Sequence, residues 1–146
     1  MKKKIMCFVF AMLMLFVAVP AYAISYDAGY LDPVRHYFLT GSLSKTASQE
    51  WLRVVDNATE SKKIFPDGTT ANGYHYSRVT DANGFSLCKR KLVKYSGTAS
   101  FDAVDMGDYA TSKNTIRLRI DNPFYDGNNT TIQLQTKGTF TATKTE

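Results

Sequence analysis

Cysteine is scarce in this chain of 146 residues, and its two cysteines, Cys7 and Cys88, do not provide a disulfide framework. Cys7 lies in an apolar segment that is predicted, below, to be removed on export, so Cys88 is left alone. The fold must then depend on packing and hydrogen bonds, unless Cys88 pairs with a second molecule. A secreted protein without disulfides is typical of bacterial export, particularly from Gram-positive bacteria.

The residue types from which catalytic and metal sites are built are also few. His36 and His75 are the two histidines, and they lack HExxH spacing, so the sequence predicts neither a metal nor a cofactor. No GxSxG segment is present. Cys88 with His75 is the one pair that could support nucleophilic catalysis. Because a free cysteine in a strand is more commonly a small packing residue, we predict that the protein is not an enzyme.

Long apolar runs are absent after the N-terminus, where Lys2–Lys4 precede the apolar stretch Ile5–Val19. The following residues end in a small-x-small pattern at Ala23, which signal peptidase accepts. The apolar stretch is short for a membrane span. We therefore predict a signal peptide at 1–23, a single secreted domain at 24–146, and no transmembrane anchor after cleavage.

The excess of positive charge belongs mostly to that signal peptide. It carries three of the 18 Lys and Arg residues and none of the 13 Asp and Glu residues, so the mature chain has a formal net charge of only +2. The remaining basic run, Lys89–Lys91 with Lys94, is typical of a solvated strand edge. No nucleic-acid partner is predicted.

The clearest structural pattern lies near the C-terminus. In Asn114–Asp121, apolar residues alternate with Arg117 and Arg119, and Thr130–Lys137 alternates in the same way. These segments predict a β-hairpin whose arginines form a solvated face. The second arm extends past a glycine bulge through residues 138–143. Further short strands are predicted at residues 35–40, 50–56, 73–80, 85–93 and 98–104.

Turn-forming residues separate these segments, and no stretch has sustained helical periodicity with caps. Asp81–Gly84 predicts a tight hairpin turn, Asn57–Asn72 a long loop, and Ile24–Pro33 a lead that lies over the surface. About seven short strands in this spacing predict an all-β fold, an antiparallel β-sandwich rather than a barrel. The predicted core comprises Phe38 or Leu39, Trp51 or Leu52, Val54, Leu87, Phe101, Ile116, Leu118, Ile120, Ile132, Leu134 and Phe140.

Carboxylates cluster at Asp102, Asp105 and Asp108, and again at Asp121 and Asp126. Calcium requires several oxygens that converge from loops, which a sandwich with acidic loops at one end could supply. The spacing is not that of an EF-hand loop, and Asp is also a common turn former. The acidic clusters are therefore interpreted as turns rather than as a metal site.

Tyrosine is the most suggestive surplus, at nine residues. Its rigid apolar body and polar tip suit contact surfaces. Tyr74, Tyr76 and Arg78 share one face of their predicted strand. Asn122–Asn129 would lie at one end of a sandwich, where recognition loops are common. The predicted binding residues are Tyr74, Tyr76, Arg78, Phe124, Tyr125 and Asp126.

The order of elements resembles one group of proteins. A signal peptide, the strand Glu50-Trp-Leu-Arg-Val-Val, a glycine-bearing middle and Tyr109-Ala-Thr-Ser-Lys-Asn-Thr-Ile-Arg-Leu-Arg-Ile resemble small secreted Gram-positive proteins catalogued as a domain of unknown function. Some of these are associated with bacteriocin or transporter genes. The resemblance implies an extracellular or envelope location and carries over no catalytic residue.

Taken together, these patterns predict a secreted, non-enzymatic protein that binds a protein, a peptide or a cell-envelope component. The alternative is an exported antibacterial, bacteriocin-like or host-directed effector that acts on membranes. A small hydrolase is the third possibility.

Overall fold

The chain forms two antiparallel β-sheets, and this confirms the predicted all-β sandwich. The computed structural model describes residues 22–31, 37–124 and 132–146. The strands are β1 (Tyr22–Leu31), β2 (Tyr37–Ser44), β3 (Trp51–Ile64), β4 (Thr70–Asn72), β5 (Tyr74–Asp81), β6 (Lys91–Lys94), β7 (Thr98–Asp102), β8 (Thr115–Asp121) and β9 (Gln133–Lys144), with one helix, α1 (Ala103–Thr111), between β7 and β8. Nine strands are thus present in the described residues, against the seven or so predicted.

One sheet is built around the long strand β3. Strand β9 lies between β1 and β3, and the opposite edge of β3 pairs with both β7 and β4. The other sheet has the order β2-β8-β5-β6. We call these the five-stranded and the four-stranded sheet.

The C-terminal hairpin prediction is wrong, because β8 and β9 lie in different sheets. Both strands have the predicted alternation: Ile116, Leu118 and Ile120 are buried on β8, and Leu134 is buried on β9. Alternation determines which face of a strand is buried but not which strand lies beside it. The predicted binding residues Tyr125 and Asp126, in the connection between the two strands, lie outside the described residues.

Several predicted boundaries are also corrected. The lead Ile24–Pro33 is largely strand β1, whose residues Tyr22 and Ala23 pair with β9; the cleavage site itself stays a prediction. The predicted loop at 57–72 is part of strand β3 as far as Ile64. The backbone of β3 pairs with β9 on one side and with β7 and β4 on the other. The predicted strand 85–93 pairs only at Ser86 and from Lys91 onward.

The helix α1 was not predicted. It begins after Asp102, whose backbone N–H donates to the Asp105 carboxylate at 3.0 Å, and it is broken at Gly107, where φ is +70°. A segment this short and interrupted cannot show helical periodicity, although the acid three residues after Asp102 is a helix-start signal.

The core lies between the two sheets and matches most of the predicted set. Trp51 and Val54 are both buried, although residues three apart in a regular strand point to opposite faces. The pairing of β3 with β9 is irregular between Trp51 and Arg53, and this irregularity reverses the alternation of faces there. Leu52 is exposed as a result. Phe38 and Leu87 pack against the core from partly buried positions, and Ile132 is half-buried. The predicted core residues that are fully enclosed are Trp51, Val54, Phe101, Ile116, Leu118, Ile120, Leu134 and Phe140.

Candidate functional site

The outer face of the four-stranded sheet brings together the described part of the predicted binding site. Along β5, His75, Ser77 and Val79 point into the core, so Tyr74, Tyr76 and Arg78 share the outer face as predicted. The Tyr74 ring lies edge-on to Tyr76, with centroids 6.2 Å apart. Phe124 joins them, with its centroid 5.0 Å from that of Tyr74.

Cationic side chains lie over the aromatic rings of this region. The Arg90 guanidinium is 4.4 Å from the centroid of Tyr76, and the Arg119 guanidinium is 4.0 Å from that of Tyr37. From β3 of the five-stranded sheet, Lys63 Nζ lies 4.8 Å from the centroid of Phe124. Cation–π attraction contributes about 0.5–1 kcal/mol at an exposed site, so each ring favours the position of its cation at the surface.

A single carboxylate joins two of the arginines. Arg78 on β5 lies directly opposite Arg119 on β8, a like-charged pair that by itself would destabilise the sheet. Asp121 lies between them: Arg78 Nε donates to its Oδ2 at 3.0 Å, and Arg119 Nε donates to its Oδ1 at 2.6 Å. One negative charge thus serves two positive charges, and this three-residue group keeps a net charge of +1.

Arg117 adds a further fixed cation on β8, because its Nε donates to the backbone oxygen of Thr40 at 2.8 Å. We use the name cationic face for this surface, which comprises Tyr37, Tyr74, Tyr76, Arg78, Arg90, Leu92, Lys94, Arg117, Arg119 and Asp121.

An open groove of about 460 Å³ crosses the β5–β6 part of the cationic face. Its lining is mainly apolar, contributed by Tyr74, Tyr76, Leu92 and Tyr95, with Lys94 among the lining residues. Such a volume lies at the lower end of the range found for small-molecule sites. The face therefore combines fixed positive charges with a neighbouring apolar surface.

Sequence reasoning found the tyrosines of this face but not the cations that cover them. Arg119 was assigned to a solvated structural face and Arg90 to a solvated strand edge. Arg90 is exposed beside the edge strand β6, but each guanidinium also lies over an aromatic ring, which was not predicted. Lys91, from the same basic run, instead bonds to Asp105 at 2.7 Å. The contacts of Arg90 and Arg119 depend on which strands are neighbours, and alternation along one strand does not reveal that.

A second polar group lies in the interior, between the two sheets. The Tyr26 hydroxyl donates to Asp56 Oδ1 at 2.6 Å, and Asp56 Oδ2 lies 2.8 Å from Nε2 of His75. On the other side of the imidazole, Nδ1 lies 3.0 Å from the Ser61 hydroxyl and 3.3 Å from that of Thr136. We call Tyr26, Asp56, His75, Ser61 and Thr136 the buried network.

The buried network connects the sheets, because His75 belongs to the four-stranded sheet and the other four residues to the five-stranded sheet. With a proton on Nε2, the imidazole donates to Asp56 and accepts from Ser61 through Nδ1. The hydroxyl of Thr136 can in turn donate to the backbone oxygen of Glu60 at 3.0 Å. Each polar group has a partner, as groups in an interior require.

The acid, imidazole and hydroxyl stand in series, as in serine hydrolases, but a substrate cannot reach them. Asp56, His75 and Ser61 have no exposed surface, and a catalytic serine must meet a substrate carbonyl. The arrangement therefore acts in this structure as a connection between the sheets. The sequence signal for the buried network is a polar residue at a strand position whose side chain points into the core. Thr136 is an example, because it lies four residues before the buried Phe140 and therefore on the same face of β9.

Burial and the adjacent Asp56 carboxylate raise the pKa of Tyr26 far above its usual value. In the unfolded chain, tyrosine loses its proton near pH 10. Above that pH the unfolded state binds fewer protons than the folded state, so stability is intact below pH 10 and falls as pH rises further. We predict a decline of about 1.4 kcal/mol per pH unit from this residue alone. Urea unfolding between pH 9 and 11 should show a shallower decline in Tyr26→Phe, and parallel profiles for the two proteins would contradict the prediction.

The predicted nucleophilic pair, Cys88 with His75, is not assembled. Both ring nitrogens of His75 are engaged in the buried network, and the Cys88 sulfur accepts a hydrogen bond from the backbone N–H of Val79 at 3.3 Å. Burial raises the pKa of the Cys88 thiol, which disfavours the reactive thiolate. That the protein is not an enzyme stays a prediction.

Three of the acidic residues that suggested calcium, Asp102, Asp105 and Asp121, are engaged with cations. Asp102 lies 3.3 Å from Arg53, and the hydrogen bond from Lys91 lowers the pKa of Asp105. In the part of the chain that the structure describes, no three His, Cys, Asp or Glu side chains are grouped to hold a metal ion. His36 and Asp126 lie outside that part. Within the same residues, no helix has the length and apolar character needed to cross a bilayer.

Comparison with known proteins identifies no family. No protein-family model and no curated protein matches the chain. Two solved structures of the Tobacco streak virus coat protein, one at 2.1 Å in a C2 crystal form and one of the dimer at 2.4 Å, are similar to it with 7% identity and TM-scores of 0.29 and 0.28. The alignments cover 86% of this chain and 88% and 86% of those chains. Similarity at this level carries no argument about function.

Proposed function

We propose that this protein is an exported, non-enzymatic binding protein of the bacterial cell envelope or extracellular space, secreted by a Gram-positive bacterium, and that it binds its partner on the cationic face. The observation that supports this is the Arg78–Asp121–Arg119 group. Two arginines directly opposite each other weaken a sheet, and one carboxylate offsets only one of them. Such a pair adds little to the stability of the fold. It does, however, present positive charge to a partner that carries negative groups.

The aromatic residues supply the rest of the surface. Tyr74 and Tyr76 line the groove beside these arginines, and rigid tyrosines lose little conformational entropy when they make contacts. The face belongs to a four-stranded sheet whose strands are fixed by pairing, so its side chains hold their positions before a partner arrives. A prepared surface binds more tightly than one that must first become ordered.

Sedimentation with purified Gram-positive cell walls tests the proposal. The folded protein should co-sediment with the walls, and the double variant Tyr74→Ala/Tyr76→Ala should bind about tenfold more weakly because it loses the groove lining. Tyr109→Ala is the matched control, since Tyr109 is an exposed tyrosine on α1, away from the cationic face.

Thermal unfolding of each variant shows whether it is folded, and wall binding is compared only among folded proteins. The proposal fails if the intact protein does not bind the walls, or if the double variant binds them as strongly as the Tyr109→Ala control does.

A further inference from the structure

We infer that the ligand of the cationic face is an anionic polysaccharide, an extended chain of sugar units that bears phosphate or carboxylate groups. This inference rests on the proposed binding function and specifies its ligand class. It follows from three features of the face: the excess of cations, the spread of these cations over several strands, and the arrangement of the aromatic rings beside an apolar groove.

The first feature is charge. Arg78, Arg90, Lys94, Arg117 and Arg119 contribute five positive charges to the cationic face, while Asp121 contributes one negative charge. The mature chain has a net charge of only +2, so positive charge is concentrated on this side of the sandwich. An arginine guanidinium presents paired N–H groups that match the oxygens of phosphate and carboxylate.

The second feature is the spread of these charges over several strands. Arg117 and Arg119 lie on β8, Arg78 on β5, Lys94 on β6, and Arg90 just before β6. Neighbouring strands are about 4.8 Å apart, so a single small anion cannot contact them all. The ligand must carry several anionic groups along an extended chain.

The third feature distinguishes among polyanions. Arg90 covers one face of Tyr76, and Arg119 covers one face of Tyr37, so neither ring can insert between two successive nucleic-acid bases, whereas a sugar ring needs only one free face. An acidic peptide lying over the face would gain no strand pairing from β5 or β8, which are paired on both sides, and could add as a strand only at the outer edges of β2 and β6. Sugar rings, by contrast, have apolar C–H faces that suit the groove lined by Tyr74, Tyr76, Leu92 and Tyr95.

Binding to defined polymers tests this inference. Alginate supplies carboxylates on sugar units, dextran phosphate supplies phosphates, and dextran is the uncharged control. Polyglutamate and single-stranded DNA represent the other classes of polyanion. We expect the protein to bind alginate, dextran phosphate or both, at least about tenfold more tightly than dextran, polyglutamate or DNA, and the binding to weaken as salt is added.

A pair of matched variants places the site. Arg90→Gln/Arg119→Gln removes two cations from the cationic face and leaves Asp121 bonded to Arg78. Lys62→Gln/Lys137→Gln removes the same charge from the five-stranded sheet, where Lys62 pairs with Glu60 and Lys137 with Asp27. Only the first variant should lose affinity for the charged polysaccharide, by about tenfold or more.

The inference is overturned if polyglutamate or DNA binds as tightly as the charged polysaccharides, or if the two double variants lose affinity equally. Absence of binding to both alginate and dextran phosphate also overturns it. If the protein still binds purified cell walls in that case, the proposed binding function stands and only the ligand class is wrong.

Discussion

Replacing His75 with alanine is expected to lower the free energy of unfolding by about 3–5 kcal/mol, because it leaves the Asp56 carboxylate in the core with Tyr26 as its remaining partner in the network. His75 and Asp56 have no exposed side-chain surface, and their polar atoms are 2.8 Å apart. Urea unfolding at pH 7 measures the effect.

The double variant Asp56→Leu/His75→Leu shows whether the destabilisation comes from leaving one polar partner alone in the core or from the change in side-chain packing. Apolar residues of similar volume remove the carboxylate and its imidazole partner together, so the double variant should be less destabilised than the sum of the two single Leu variants. Ser77→Ala is the control on the same strand: the Ser77 hydroxyl is buried and has no hydrogen-bond partner among the described residues. It should change stability by less than about 1 kcal/mol, since no bond is lost. If His75→Ala costs no more than Ser77→Ala, the buried network does not hold the sheets together.

How far the sequence predicts this molecule depends on the range of the interaction involved. Alternation of apolar and polar residues identified the buried face of β8 and the common face of Tyr74, Tyr76 and Arg78 on β5, because strand geometry places successive side chains on opposite faces. Alternation did not predict which strands pair with each other. The sequence of β8 and β9 predicted a hairpin, but the two strands belong to different sheets. Pairing is determined by packing of the whole sandwich.

The same distinction applies to the candidate site. That Tyr74, Tyr76 and Arg78 share a face follows from one strand, and the sequence predicted it. The covering of Tyr76 by Arg90 and the sharing of Asp121 by Arg78 and Arg119 join different elements. Asp56 was missed for a related reason. A charged residue in a strand is expected to be exposed, and only its contacts with Tyr26 and His75, on other strands, explain why it is buried.

Gly138 on β9 is paired with both β1 and β3 of the five-stranded sheet, and its replacement by alanine is expected to cost about 3 kcal/mol or more. A Cβ atom there would lie 2.4 Å from the backbone oxygen of Asn57 and 2.6 Å from the Tyr26 hydroxyl. Neither neighbour can yield easily. Asn57 belongs to β3, which is paired with β9 on one side and β7 on the other, and the Tyr26 hydroxyl is bonded to Asp56.

Gly41→Ala is the matched control for this substitution, because Gly41 is also a strand glycine but its added Cβ would meet only the Ile24 side chain, at 3.3 Å. A side chain can move by a few tenths of an ångström, so Gly41→Ala should cost less than about 1 kcal/mol. Equal effects of the two substitutions on urea unfolding would show that β3 or Tyr26 can shift to admit a methyl group.

The alkaline behaviour of Gly138→Ala shows which neighbour moves. If the methyl group displaces Tyr26, its hydroxyl leaves Asp56 and gains water, so its pKa returns toward the ordinary value and the loss of stability above pH 10 becomes shallower. If β3 moves instead and Tyr26 stays buried, burial alone keeps the pKa of Tyr26 raised and the steep decline persists. Because β3 also carries Asp56 and Ser61, either response is transmitted to the buried network, and Gly138 is thereby coupled to the contact between the sheets.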